Sequence, residues 1–332
     1  MPLNVATEAA RLSVAPMMDW TDRHCRVFHR QITRHTLLYT EMITAPALVR
    51  GGARHLLAFD AAEHPVACQL GGSDPGELAE AAAMVAEAGY DEVNLNVGCP
   101  SDRVQSGSFG AVLMETPDLV AASVRAMIDA QPVEVTVKCR IGVDDQDPSV
   151  VLPDFLSRIA DAGVTRVIIH GRKAWLHGLS PKENRDIPPL DYDLVYTMKM
   201  RFPQLHISLN GGIESLDAAS AHLAGGLDGV MIGRAAYHDP YGVLAGADAQ
   251  IFSKECDPPS RTDVALAMRP YIAAHLDQGG KLLSVARHML GLFAGQPGAR
   301  AWRRHLSEHG HRDGAGFEVI EDALAAMQVR AA

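Results

Sequence analysis

Short apolar runs rich in β-branched residues recur through the first 240 residues, each followed by a stretch with helical spacing. The runs fall at residues 12–16, 37–41, 66–70, 92–97, 133–139, 166–170, 207–210 and 229–232. Most are continuous and lack strict alternation, as expected of parallel strands covered on both faces. Eight such strands with helices between them predict an α/β fold, a closed (β/α)8 TIM barrel. Asp74-Pro75 opens a predicted helix that stops at Gly89, and helical patterns also cover 118–130, 153–163 and the Ala-rich segment 215–225.

The pattern changes at 248–261, where Asp257-Pro258-Pro259-Ser260 interrupts regular structure and no strand follows. Residues 1–247 are therefore expected to form the barrel. Residues 248–332 are expected to form a linker and a small helical bundle, with helices over 264–278, 281–293, 301–307 and 316–329. Composition agrees, since 47% hydrophobic and 21% charged residues suit a globular chain with a large core. The net charge of −10 argues against indiscriminate coating of nucleic acid, so any RNA contact has to be local. One region qualifies: between 281 and 312, Lys281, Arg287, Arg300, Arg303, Arg304 and Arg312 face the single acidic residue Glu308.

Cys25, Cys68, Cys99, Cys139 and Cys256 include no C-x-x-C pair, so neither a zinc module nor a disulfide framework is indicated. The first ten residues lack the basic start and apolar core of an export signal, and no run approaches the ~18 apolar residues of a membrane helix. The expectation is a soluble chain of the reducing cytoplasm. His305 and His309 have metal-ligand spacing on a helix, but only Glu308 stands with them and no metal is expected.

In a barrel of this kind the chemistry collects at the carboxyl ends of the strands. Those ends carry Pro16, Met17 and Met18, then Gln69, Asn94 and Asn96, Lys138, and His170. A lysine closing an apolar run is better explained by a site than by packing, because Lys is rarely buried without a partner. His170 and Gln69, each taken alone, fit a satisfied core equally well. After the seventh run comes Asn210-Gly211-Gly212 and after the eighth Gly233-Arg234, so backbone amides and a guanidinium can converge on a phosphate. The most distinctive stretch is Asn94-Leu95-Asn96-Val97-Gly98-Cys99-Pro100-Ser101, with Val104-Gln105-Ser106-Gly107 close behind. A thiol with an ordinary pKa of about 8.5 is protonated at neutral pH and can donate to carbon, although an inert buried cysteine has the same sequence signature.

Three stretches together carry a resemblance. Ala15-Pro16-Met17-Met18-Asp19-Trp20-Thr21-Asp22, the Asn94 to Ser101 motif and Gly178-Leu179-Ser180-Pro181-Lys182-Glu183-Asn184-Arg185 resemble tRNA-dihydrouridine synthases, and the last of them, followed by Ile187-Pro188-Pro189-Leu190-Asp191-Tyr192, resembles the A subfamily. The resemblance covers nearly the whole chain. Val112, Cys139 and Gly171 depart from it, standing where Cys, Thr and Ala are expected.

The resemblance implies noncovalently held FMN, NADPH as reductant, and reduction of uridine to 5,6-dihydrouridine in the D-loop of tRNA, at position 20 and its neighbour 20a. It implies that Pro16, Met17 and Met18 line the flavin, that Gln69, Lys138 and His170 contact its ring or ribityl chain, and that Asn210, Gly211, Gly212, Gly233 and Arg234 bind its phosphate. Cys99 becomes the acid that protonates uracil, Asn96 helps hold the base, and Lys182 and Arg185 contact RNA. Because a stacked base cannot reach such a mouth, the nucleotide has to be extruded, and Arg300, Arg303 and Arg304 beside Trp302 are expected to grip phosphates. No membrane and no obligate protein partner are implied. A flavin barrel acting on a free pyrimidine, or a noncatalytic RNA-binding protein, are the competing readings, and only the first of these shares the flavin.

Overall fold

The computed structural model describes residues 5–101 and 109–331. Eight parallel strands close into a barrel in sequence order: β1 (Leu12–Val14), β2 (Leu37–Thr44), β3 (Val66–Gly71), β4 (Glu92–Val97), β5 (Glu134–Arg140), β6 (Arg166–His170), β7 (His206–Asn210) and β8 (Gly229–Ile232). Closure is made where Leu12 of β1 pairs with Val230 of β8. All eight expected strands are present. Strand β2 runs three residues beyond expectation, past a shift of register with β3 between Tyr39 and Met42.

Alternation along the strands divides the core in two. Outward residues such as Leu38, Leu70, Val93, Val137 and Ile169 pack beneath the helices, whereas Leu37, Tyr39, Ala67, Ile168 and Met231 form a separate cluster inside the barrel. The floor of that interior is charged: Arg166 lies 2.6 Å from Glu92 and 2.9 Å from Glu134, all three at strand beginnings. Burial and the two carboxylates act oppositely on Arg166, and the carboxylates win, holding it cationic. The helix Val5–Ala9 lies at this end, with Thr7 donating to Glu134 at 3.2 Å.

Helix starts follow the sequence signals. Asp74 and Ser215 cap the helices Pro75–Ala88 and Leu216–Ala224 through side-chain oxygens, and Gly89 ends the first in a left-handed conformation. The helix expected over 153–163 begins earlier, at Pro148, because Asp147 caps it and Pro148 takes its first turn, leaving Pro153 inside.

Helix Ala247–Gln250 still packs on the barrel, since buried Asp248 accepts from Thr33 Oγ1 (2.6 Å) and from the backbone N–H of Arg34 (2.8 Å). Regular structure resumes at Arg261–Ala267. The helix expected over 264–278 is broken into Arg261–Ala267 and Arg269–Asp277, with Pro270 at the start of the second. The segment expected over 281–293 is a short helix, Leu282–Ala286, that tightens into a 3-10 turn at Arg287–Met289, and Ala299–His309 and Glu318–Ala331 complete the bundle. Asp22, at the rim after β1, joins the two parts: it caps helix Arg23–Arg30 and pairs with Arg287 (2.6 Å) and His288 (3.0 Å). Trp20 stacks on Tyr237 beside it, with centroids 4.5 Å apart.

Candidate active site at the barrel mouth

The carboxyl ends of the strands bring the expected residues onto one rim. After β1, Met17 is fixed by Thr21, whose Oγ1 accepts from the Met17 N–H at 2.9 Å, while Met18 stands 55% exposed. Pro16 precedes them half-buried. From β3 and β4, buried Gln69 and Asn96 meet through a 2.8 Å bond from Asn96 Nδ2 to Gln69 Oε1. Asn96 Oδ1 in turn accepts the backbone N–H groups of Gly98 and Cys99, both at 3.0 Å, which holds the loop carrying the thiol.

Cys99 is distinguished from the other cysteines by its surroundings. Cys25, Cys68 and Cys139 are sealed in the core, and burial drives their thiols upward, Cys68 and Cys139 to about 12. Cys256 is exposed on the irregular stretch between the barrel and helix Arg261–Ala267. Cys99 alone is half-buried, with Sγ 3.4 Å from the Ser101 hydroxyl. The Val104 to Gly107 stretch lies outside the described residues.

Positive charge surrounds the thiol loop. Burial, then the neighbouring Arg140, lowers Lys138 to about 8, and no carboxylate among the described residues pairs with it. Burial, then Arg140, Lys138, Arg172 and Arg185, holds His170 well below its usual range, so its ring is neutral. The turn after β7 is shaped around that ring. Gly211 has φ +108°, and a Cβ there would sit 2.5 Å from His170 Cδ2, so only glycine fits. The Tyr192 hydroxyl donates to the Gly211 carbonyl at 2.5 Å. Asn210 commits its amide nitrogen to the Met231 carbonyl at 2.8 Å, bracing β8 against β7. Gly233 leads into helix Arg234–His238 with Met17 Sδ 3.9 Å from where its Cβ would be, and Arg234 pairs with Asp186 at 2.6 Å.

Three positioning residues were not anticipated. Arg140 donates to the carbonyls of Gly98 (3.1 Å), Asn184 (3.0 Å) and Lys173 (3.4 Å), tying the thiol loop to the segment after β6. Burial, then Arg185 and Arg172, lowers it to about 10. Asn184, buried within the Lys-Glu-Asn-Arg motif, exchanges bonds with Trp175 (2.7 and 2.9 Å) and so displays Lys182 and Arg185 on the surface. Arg172 donates to the Pro188 carbonyl, and its Nε is buried without a partner. The one available signal was Arg140 itself, two residues beyond Lys138 and hence on the same face of the strand.

In the C-terminal part, Arg300, Arg303 and Arg304 share the exposed face of helix Ala299–His309. Trp302 does not join them. It is fully buried, donates from Nε1 to Met289 O at 2.9 Å and lies edge-on to Phe293, so it anchors the helix to the bundle. The rings of His305 and His309 stack 4.1 Å apart, and the described residues contain no group of side chains able to hold a metal. Between bundle and barrel a cavity of ≈ 400 Å³ is lined by Tyr237, His238, Arg287, Gly291, Ala299 and Arg303.

Fold and site together define a (β/α)8-barrel enzyme whose mouth presents a thiol amid cations. Its residues fit a phosphorylated aromatic cofactor: among the described residues Arg172 Nε is buried without a hydrogen-bond partner, and Lys138 has no carboxylate beside it. The family model for dihydrouridine synthase (Dus) matches residues 13–328, and the chain belongs to that family, the flavin-dependent oxidoreductases that reduce uridine in tRNA. A tRNA-dihydrouridine(20/20a) synthase of Vibrio cholerae is 57% identical over 320 residues, covering 96% of this chain and 97% of that one. Its counterpart in Escherichia coli strain K12 is 56% identical over 317 residues, 95% of this chain and 91% of that one. Among solved structures, an old yellow enzyme homologue from Zymomonas mobilis superposes with a TM-score of 0.53 at 12% identity, covering 76% of this chain and 91% of that one. Morphinone reductase does so at 0.51 and 13%, covering 76% and 88%. At such identities these two establish the fold alone. No helix among the described residues is long and apolar enough to cross a membrane.

Proposed function

We propose that this chain reduces uridine to 5,6-dihydrouridine at positions 20 and 20a of the tRNA D-loop, using noncovalent FMN and NADPH, in the cytoplasm and without an obligate protein partner. When bound, the flavin supplies the hydride that reaches C6 of uracil. Cys99 gives its proton to C5 from the rim. Asn96 holds the loop beneath that thiol and the base above it. Lys138 supplies positive charge toward the flavin ring, while neutral His170 offers an uncharged nitrogen rather than a second cation. Pro16, Met17 and Met18 pack against the ring, Gln69 reads its polar edge, and Gly211, Gly212, Gly233 and Arg234, braced by Asn210, receive the phosphate.

A base has to leave its stack to enter this mouth. Lys182 and Arg185 on one side, and Arg300, Arg303 and Arg304 on residues 248–332, are suited to holding the backbone while it does so. The observation that carries the reading is the placement of Cys99, the half-buried thiol held by Asn96 within a cationic rim. Mass analysis of nucleosides, position by position, after incubating tRNA with the protein, FMN and NADPH tests it. Dihydrouridine at 20 and 20a is expected; turnover of free uracil or orotate without tRNA would overturn the assignment in favour of a small-pyrimidine reductase.

A further inference from the structure

A file of buried side chains climbs the inside of the barrel from its charged floor to the Cys99 loop, and its hydrogen bonds admit one direction. At the floor, Glu92 receives Arg166 Nη2 on one oxygen (2.6 Å) and the Tyr39 hydroxyl on the other (2.6 Å). The Thr136 hydroxyl also donates to that second oxygen. A carboxylate paired with arginine only accepts, so Thr136 commits its single hydrogen there and itself accepts from Asn94 Nδ2 at 2.8 Å. Asn94 Oδ1 then accepts from Gln69 Nε2 (2.8 Å), and Gln69 Oε1 from Asn96 Nδ2 (2.8 Å).

The file ends on Asn96 Oδ1, which accepts the N–H groups of Gly98 and Cys99, and backbone N–H groups only donate. An obligate acceptor at the floor and obligate donors at the rim therefore fix all three amides. Gln69, Asn94 and Thr136 are at most 1% exposed, so water does not relieve a wrong orientation.

We infer that Asn94 is a positioning residue. It carries the direction set by Glu92 and Arg166 up to Gln69 and Asn96, so that each keeps one amide N–H for an acceptor on the flavin or the pyrimidine. This rests on the flavin reading above. A packing role and a directional role rank two variants oppositely. Leucine at 94 keeps the volume and suits an apolar interior, but breaks the file on both sides. Aspartate at 94, protonated in this buried setting, donates its hydroxyl hydrogen to Thr136 while its carbonyl still accepts from Gln69.

At pH 5.5, Asn94→Leu is expected to bind FMN about tenfold more weakly than wild type, and Asn94→Asp to stay within about threefold. The same ranking is expected in the apoprotein, with no flavin present, for departure from the wild-type rate of N-ethylmaleimide addition to Cys99, read by peptide mass. An Asn94→Leu protein equal to wild type in both measurements, or an Asn94→Asp protein as impaired as Asn94→Leu, overturns the inference. If wild type binds no flavin, the flavin reading fails while the thiol ranking still decides the file. If Asn94→Leu does not fold, Thr136→Val against Thr136→Ser replaces the pair, with serine expected to restore what valine loses.

Discussion

At the barrel mouth, Arg140 commits its guanidinium to three carbonyls, one on the thiol loop and two on the segment after β6. Arg300, Arg303 and Arg304, on an exposed helix face, make no ion pair among the described residues. Both regions are cationic, but the first holds its charge at the ends of strands and the second displays it on long, exposed side chains. The difference separates two tasks. Charge that must sit within a fraction of an ångström of a reacting ring has to be locked by its neighbours, whereas charge that follows a polyanion gains from staying adaptable and in water. Disruption at the mouth should therefore abolish chemistry, and disruption on the helix should change salt-dependent affinity.

The sharpest test of that division is Cys99→Ala. Losing a positioned acid is expected to lower tRNA turnover by about 10²–10⁴-fold while leaving the flavin absorbance of the purified protein intact; turnover near wild type would remove the thiol from the chemistry. Gly211→Ala comes next. Its methyl group would meet the His170 ring in a backbone conformation that disfavours alanine, so flavin affinity is expected to fall by at least about tenfold, measured by fluorescence titration, with tRNA affinity little changed. The smallest effect belongs to the helix. Reversing charge at Arg303 and Arg304 together is expected to weaken tRNA binding roughly tenfold and to flatten its dependence on salt, while NADPH oxidation continues. An unchanged salt slope would mean that this face does not meet RNA.

Lys138 and His170 show how far the site could be read before folding. Both were visible as polar residues ending apolar runs, yet their charge states follow from burial first and then from cations around them, Arg140 for Lys138, and for His170 Arg140 and Lys138 of the neighbouring strand with Arg172 and Arg185. Trp302 shows the opposite failure. Its neighbours in sequence are arginines, which placed it with the RNA-facing group, but a helix sends residue 302 to the side opposite 300, 303 and 304 and into the bundle. Of the departures from the family pattern, Cys139 is buried in the core and Val112 packs partly buried against it.

The sequence by itself determined the eight strands, their order and the Cys99 loop, because continuous apolar runs, turn glycines and caps act over a few residues and leave a local trace. The tertiary structure alone decided the directional file beneath that loop and the cationic rim around it. Glu92 and Arg166 lie 74 residues apart, and Arg140 and Asn184 lie 44 apart. Neither partner betrays the other, since hydrogen bonds and Coulomb forces depend on distance in space, and only closure of the barrel brings those distances down to bonding range.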